Sequence, residues 1–173
     1  MNIVIDAFGG DNAPLEVIKG SIDAQKDFGV DVTLVGDEEK IKNLKAGDTV
    51  KLSGYIYTAR DAAHGRLIDL IKAEKELPFE VEGAVIYYVG PSPTKENEII
   101  GSAGPTTSYR MDAYSSSLLE LGLKGMIGKG QRNLEVRESI VKNKAIYFGA
   151  TGGAAALIAK SVKKNELIAY EDL

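Results

Sequence analysis

Ala84-Val85-Ile86-Tyr87-Tyr88-Val89 is apolar at every position. Six such residues without alternation make a central strand, buried on both faces. On its C-terminal side, Ile99-Ile100 forms a short strand before a glycine-proline loop, and 110–121 has helical spacing. Gly125 to Ile127 is a strand ending at Gly128-Lys129-Gly130. Asn133 to Val141 is a helix, Ala145 to Phe148 a strand, and 149–160 a Gly-Gly turn into an alanine-rich helix. On the N-terminal side, 61–75 is helical with Leu67, Leu70 and Ile71 on one face, and 50–57 alternates as a half-buried strand does. Residues 44–48 form the turn before it. Alternating strands and helices predict an α/β or layered β/β/α domain.

Residues 1–43 read as a separate β-α-β segment. Ile3-Val4-Ile5 is a short strand ended by Gly9-Gly10; Asp11 or Asn12 caps a helix that tolerates Pro14 in its first turn; Val32 to Val35 is a second strand. This segment has four Lys, no Arg and nine acidic residues, a balance of −5, whereas 44–173 carries +1 and holds all five Arg and all eight Tyr. The contrast places a junction near 37–44, expected to be an exposed connection.

The composition, 44% hydrophobic and 27% charged, is that of a water-soluble globular chain. No stretch is apolar enough to span a membrane, and the start lacks a basic signal region, so a cytoplasmic location is expected. A net charge of −4 argues against nucleic acid as the main partner. There is no cysteine and one histidine, His64. That excludes a thiol nucleophile and thiolate-held metal within the chain, and no metal ligand set is expected in it.

Three loops combine small residues with a hydroxyl or a cation: Thr58 to His64, Gly104 to Asp112, and Gly128-Lys129-Gly130. Two arginines, Arg60 and Arg110, and Lys129 meeting at one place would bind a dianion, because the guanidinium fork matches a carboxylate. Plainer readings stand beside this one. Arg60-Asp61 suits a surface ion pair, and Lys129 a solvated turn. Thr106-Thr107-Ser108 suits a helix cap, 149–153 suits close helix–strand packing, and His64 suits a hydrogen-bonded structural residue.

The strings TARDAAH (58–64), YYVGPSPT (87–94), IIGSAGPTTSYRMD (99–112), GLKGMIGKG (122–130) and FGATGGAAAL (148–157) occur in order. Together they resemble the beta subunit, or carboxy-terminal domain, of class I fumarase and L-tartrate dehydratase, over roughly 44–173. The resemblance implies a swivelling β/β/α domain. It also implies reversible addition of water to a four-carbon dicarboxylate such as fumarate or tartrate, with a [4Fe-4S] cluster bound by a partner alpha subunit and not by this chain. It assigns substrate binding to Arg60, Arg110 and Lys129, proton transfer to Thr106, and supporting roles to His64 and Asp112. A homo-oligomer is compatible with it, and the isolated chain is expected to be inactive.

IDAFGGDNAP (5–14) followed by VTLVGDEEKI (32–41) resembles instead the start of the phosphate acyltransferase of phospholipid synthesis. The expected domains are therefore 1–43, acyltransferase-like, and 44–173, the hydro-lyase beta domain, joined as a chimera. The alternative functions are an acyltransferase fragment and a non-catalytic chimeric scaffold.

Overall fold

The computed structural model describes residues 2–6, 31–35 and 45–173. The chain divides into two compact units, 1–55 and 56–173. In the first, β1 (Asn2–Asp6) and β2 (Asp31–Val35) pair in parallel, Asn2 opposite Asp31 and Asp6 opposite Val35. Both strands read from the sequence are present. The helix expected between them and the expected junction at 37–44 fall outside the described residues.

The second unit holds β3 (Tyr57–Thr58), β4 (Val85–Tyr87), β5 (Gly125–Gly128) and β6 (Ile146–Gly149), all parallel and in sequential order. Parallel neighbours need crossovers. These contain α1 (Asp61–Lys72), then a 3-10 turn (Ser108–Met111) running into α2 (Asp112–Glu120), then α3 (Leu134–Lys142). A last helix, α4 (Ala155–Ser161), follows β6. The α/β class is thus observed.

The unbroken apolar run at 84–89 has a direct cause. Ile86 and Tyr88 face a core shared with Met126 of β5, Met111, Leu118 and Leu119 of the 3-10 turn and α2, and Val136 of α3. Ala63 and Ile71 of α1 pack against the same cluster. Tyr87 and Val89 face the other way, onto Ile100, Ala103, Ile127 and residues Ile158 and Ala159 of α4. With both faces covered, alternation has nothing to report. Helix α1 buries His64, Leu67 and Ile68, a face rotated from the expected Leu67, Leu70, Ile71 stripe.

Two expected strands are not formed. In 50–57 only Tyr57 is strand; Tyr55 is 89% exposed and Gly54 turns at φ +124°. Residues 50–56 pair with no strand among the described residues, and the left-handed glycine breaks the extended path. Ile99-Ile100 is also irregular; Ile100 is buried as a loop residue in the second core while Ile99 is exposed.

Among the described residues, the most deeply buried charged side chain is that of Arg132. Its side chain is 2% exposed and its partner Asp112 is 8% exposed, with Nε donating to Asp112 Oδ1 at 2.6 Å. The other nitrogens donate to Ser115 Oγ (2.5 Å), to the Tyr88 hydroxyl (3.3 Å) and to Met126 sulfur (3.4 Å). The guanidinium also lies 5.4 Å from the Tyr88 ring centroid and 5.2 Å from that of Tyr147. Removing one member of such a pair strands a buried charge, which costs about 3–5 kcal/mol. Arg132→Ala is therefore expected to lower the thermal midpoint by well over that of any exposed arginine, such as Arg66→Ala, in matched melting curves. Equal losses would show that the network does not hold the core.

Candidate active site

The candidate residues sit at one edge of the second sheet, where all four parallel strands end. Open α/β sheets bind ligands outside the carboxyl ends of their strands. Thr58 ends β3 and leads through Ala59 to Arg60, the residue that caps the N-terminus of α1. Past the end of β4, Gly90 lies under Arg60: a Cβ there would stand 2.7 Å from the guanidinium carbon and from Nε. The Ala59 N–H donates to the Tyr87 carbonyl (3.1 Å), which ties the first loop to the end of β4.

Thr106 is stitched into the same edge. Its N–H donates to the Tyr88 carbonyl at 2.7 Å, and its own carbonyl accepts from Lys129 N–H at 3.2 Å. Ser108 N–H then donates to the Lys129 carbonyl at 2.8 Å, so Thr107 and Lys129 form a parallel bridge that prolongs β5. A hydroxyl chain locks this bridge. Tyr147 OH donates to the Gly130 carbonyl (2.8 Å) and accepts from Ser108 Oγ (2.8 Å). Gly128 has to be glycine, because a Cβ would overlap Ser108 Oγ and stand 2.9 Å from the Tyr88 ring. The Lys129 side chain reaches toward the loop after β6, where a Cβ on Gly152 would be 3.8 Å from its Nζ.

Arg110 lies in the 3-10 turn and returns to the first loop: its Nε donates to Asp61 Oδ1 at 2.8 Å. The sequence offered Arg60-Asp61 as the ion pair; the partner of Asp61 is Arg110, which brings the two arginines to adjacent residues of one helix start. Arg60, Thr106, Arg110 and Lys129 therefore share one edge, across strands spaced about 4.8 Å apart. Two hollows, of about 340 Å³ beside Arg66 and Tyr170 and about 570 Å³ beside Gly130, Arg137 and Tyr147, are lined by none of these four side chains.

His64 and Asp112 act from beneath. Asp112 holds Arg132 and also accepts from the Asn133 N–H at 2.8 Å, fixing the residue whose side chain caps α3 at Val136 N (2.8 Å). His64 is fully buried. Its Nδ1 and its backbone N–H both bond the Arg60 carbonyl, at 3.0 and 2.9 Å. A carbonyl only accepts, so the proton is on Nδ1, and Nε2 has no partner among the described residues. The ring stands edge-on to Tyr88, with centroids 5.3 Å apart. Burial pulls its pKa down to about 4, the Arg60 carbonyl opposing and the Arg132 charge assisting. His64 is a neutral post under Arg60.

Sequence reasoning missed Arg132 and Asp61. Nothing separates Arg132, two residues beyond the Gly-Lys-Gly loop, from a surface arginine until its cavity is known. Asp61 was weighed only against its neighbour in the chain.

The second unit is a four-stranded parallel α/β domain with cations and a threonine at its carboxyl edge. The chain belongs to the family described as Fumarase C-terminus, whose sequence model matches residues 12–173. Among its relatives, a putative L(+)-tartrate dehydratase subunit beta of Methanocaldococcus jannaschii is 38% identical over 138 residues, covering 78% of this chain and 71% of that protein. The anaerobic class I fumarate hydratase of Escherichia coli is 41% identical over 126 residues, covering 72% of this chain and 23% of that protein. The L(+)-tartrate dehydratase subunit beta of the same species is 32% identical over 138 residues, covering 78% and 67%. This chain thus spans less than a quarter of the length of that fumarate hydratase.

Two outcomes are expected. Gly90→Ala should displace the flexible Arg60 guanidinium while leaving the melting temperature nearly unchanged; a large fall in stability would show that Gly90 serves packing instead. The His64 shift sets a pH dependence. The unfolded ring binds a proton below about 6.5 and the folded ring only near 4, so the unfolded state is favoured as pH falls through that window. The stability is full above 6.5, and the shift corresponds to a loss of roughly 3 kcal/mol by pH 4. Melting curves of His64→Gln should lack this component; a profile unchanged from the parent chain would contradict the buried neutral ring.

Proposed function

We propose that this chain is the substrate-clamping subunit of a hydro-lyase of the fumarate hydratase and tartrate dehydratase type. The observation that carries the reading is the gathering of Arg60, Thr106, Arg110 and Lys129 at one sheet edge in a member of the Fumarase C-terminus family. The substrate is a four-carbon dicarboxylate. Taking its two charges out of water costs several kcal/mol per ion unless charge-assisted hydrogen bonds replace the lost hydration. Two guanidinium groups and an ammonium supply those bonds. They also stabilise the added negative charge that forms when a proton leaves the carbon beside a carboxylate. Thr106 is the residue proposed to carry that proton. A hydroxyl is a weak base, and neighbouring cations make its alkoxide form easier to reach.

The cofactor of this reading is a [4Fe-4S] cluster, which when bound would supply Lewis-acid chemistry. This chain does not fit it as a ligand. It has no cysteine, and no group of three His, Asp or Glu side chains gathers among the described residues. The cluster is assigned to an alpha subunit, for which the relatives named as beta subunits are the support. The swivelling β/β/α arrangement and a cytoplasmic location belong to the same proposal. A separate origin for 1–43 is a further proposal, supported by the acidic balance of that segment.

The chain alone is expected to show no hydration of fumarate. Mixed without oxygen with an alpha subunit carrying its cluster, it should restore turnover of fumarate or tartrate. Arg60→Ala should then reduce kcat/KM about a hundredfold, the scale of one lost charge-assisted contact, with the melting temperature unchanged. Activity of the chain by itself, or full activity of Arg60→Ala in the mixture, would overturn the reading.

A further inference from the structure

Arg110 has three kinds of donor: Nε–H and the two terminal NH2 groups. Only Nε is used, by Asp61 Oδ1 at 2.8 Å, and the contact is not bidentate. The two terminal groups have no partner among the described residues, and the side chain remains 49% exposed. A carboxylate bound end-on uses those two terminal groups in parallel. Asp61 therefore occupies the one donor that an end-on ligand does not need. It is the first residue of α1, where unpaired backbone N–H groups favour negative charge, and it directly follows Arg60.

We propose that Asp61 is a positioning residue: it braces the Arg110 guanidinium through Nε so that its terminal fork points outward for a substrate carboxylate. This rests on the reading of the site given above. The brace also offsets repulsion between the arginine side chains when no dianion is bound, since a carboxylate then lies against one of them and next in sequence to the other. Because Asp61 and Arg60 start the same helix, the fork of Arg110 is indexed to the backbone that carries Arg60, whose carbonyl is in turn held by His64. The alternative is that Asp61 is a resident anion that competes with substrate for Arg110. The two ideas give opposite signs for the neutral isostere, because Asp61→Asn keeps an oxygen that accepts from Nε while removing the charge.

The test uses the two-subunit enzyme with Asp61→Ala, Asp61→Asn, Arg110→Ala and the Asp61→Ala/Arg110→Ala double variant. Asp61→Ala is expected to raise KM for the dicarboxylate about tenfold, with kcat changed less and the melting temperature unchanged. Asp61→Asn should recover most of that loss, and Asp61→Ala should add nothing once Arg110 is alanine. A lower KM for Asp61→Asn, or an Asp61→Ala penalty that persists in the Arg110→Ala background, would overturn the brace. Two-dimensional NMR of the chain alone supplies a reading free of turnover. The Arg110 Nε–H resonance should be retained in Asp61→Asn and shifted toward that of a solvated arginine in Asp61→Ala. If the resonance responds in this way but Arg110→Ala is fully active, the clamp reading fails while the brace stands. If it does not respond, the brace fails whatever the kinetics show.

Discussion

A guanidinium cannot shed its proton to escape burial, so a buried arginine dictates its surroundings. Arg132 is the case here. Satisfying its nitrogens requires Asp112 at the start of α2, Ser115 one turn later, and the hydroxyl of Tyr88 just past β4, with the Tyr147 ring of β6 alongside. These groups come from separate stretches of the chain, and none can move without leaving charge or polarity unpaired in the core. Tyr88 transmits the constraint to the sheet edge. Its ring is wedged against Gly128, its side chain meets Arg132, and its carbonyl receives Thr106.

From that fixed layer the polar edge follows. Thr106 is held between Tyr88 and Lys129, and the turn that leads to Asp112 is the turn that presents Arg110. His64, neutral and buried, supports the carbonyl of Arg60 from below. The cations themselves stay solvated or half-solvated and contribute little to folding. The division is physical: groups that must be desolvated in the empty protein carry the scaffold, and groups that are to be desolvated by a ligand are left at the rim. A rim built this way can be altered by substitution without unfolding the domain beneath it.

The second compact unit shows what makes the edge accessible to such use. In a parallel sheet with sequential strand order every strand ends on the same side, so each crossover begins there. Loops with small residues at Ala59, Gly90, Gly128 and Ala150 allow backbone and side chains to approach one another closely, and the Ala150 N–H closes the row on the Gly128 carbonyl at 2.7 Å.

The order of elements was legible in the sequence because helices and central strands announce themselves by period and by unbroken apolarity: 84–89, 125–128 and the helix capped by Asn133 stand close to where pattern alone puts them. The family was legible too, because five motifs occur together in order. Pattern misled at 50–56 and at Ile99-Ile100, where β-favourable residues pair with no strand among the described residues. Pairing is a property of neighbours in space, and alternation cannot report it. For the same reason the sequence singled out Arg60, Arg110, Lys129 and Thr106 by residue type, yet could not tell that Asp61 binds Arg110 instead of Arg60, or that Arg132 lies inside the domain. A one-dimensional pattern records which charges exist and roughly which face carries them. Which charges are desolvated, and by whom they are neutralised, is decided only when separate crossovers close on one another.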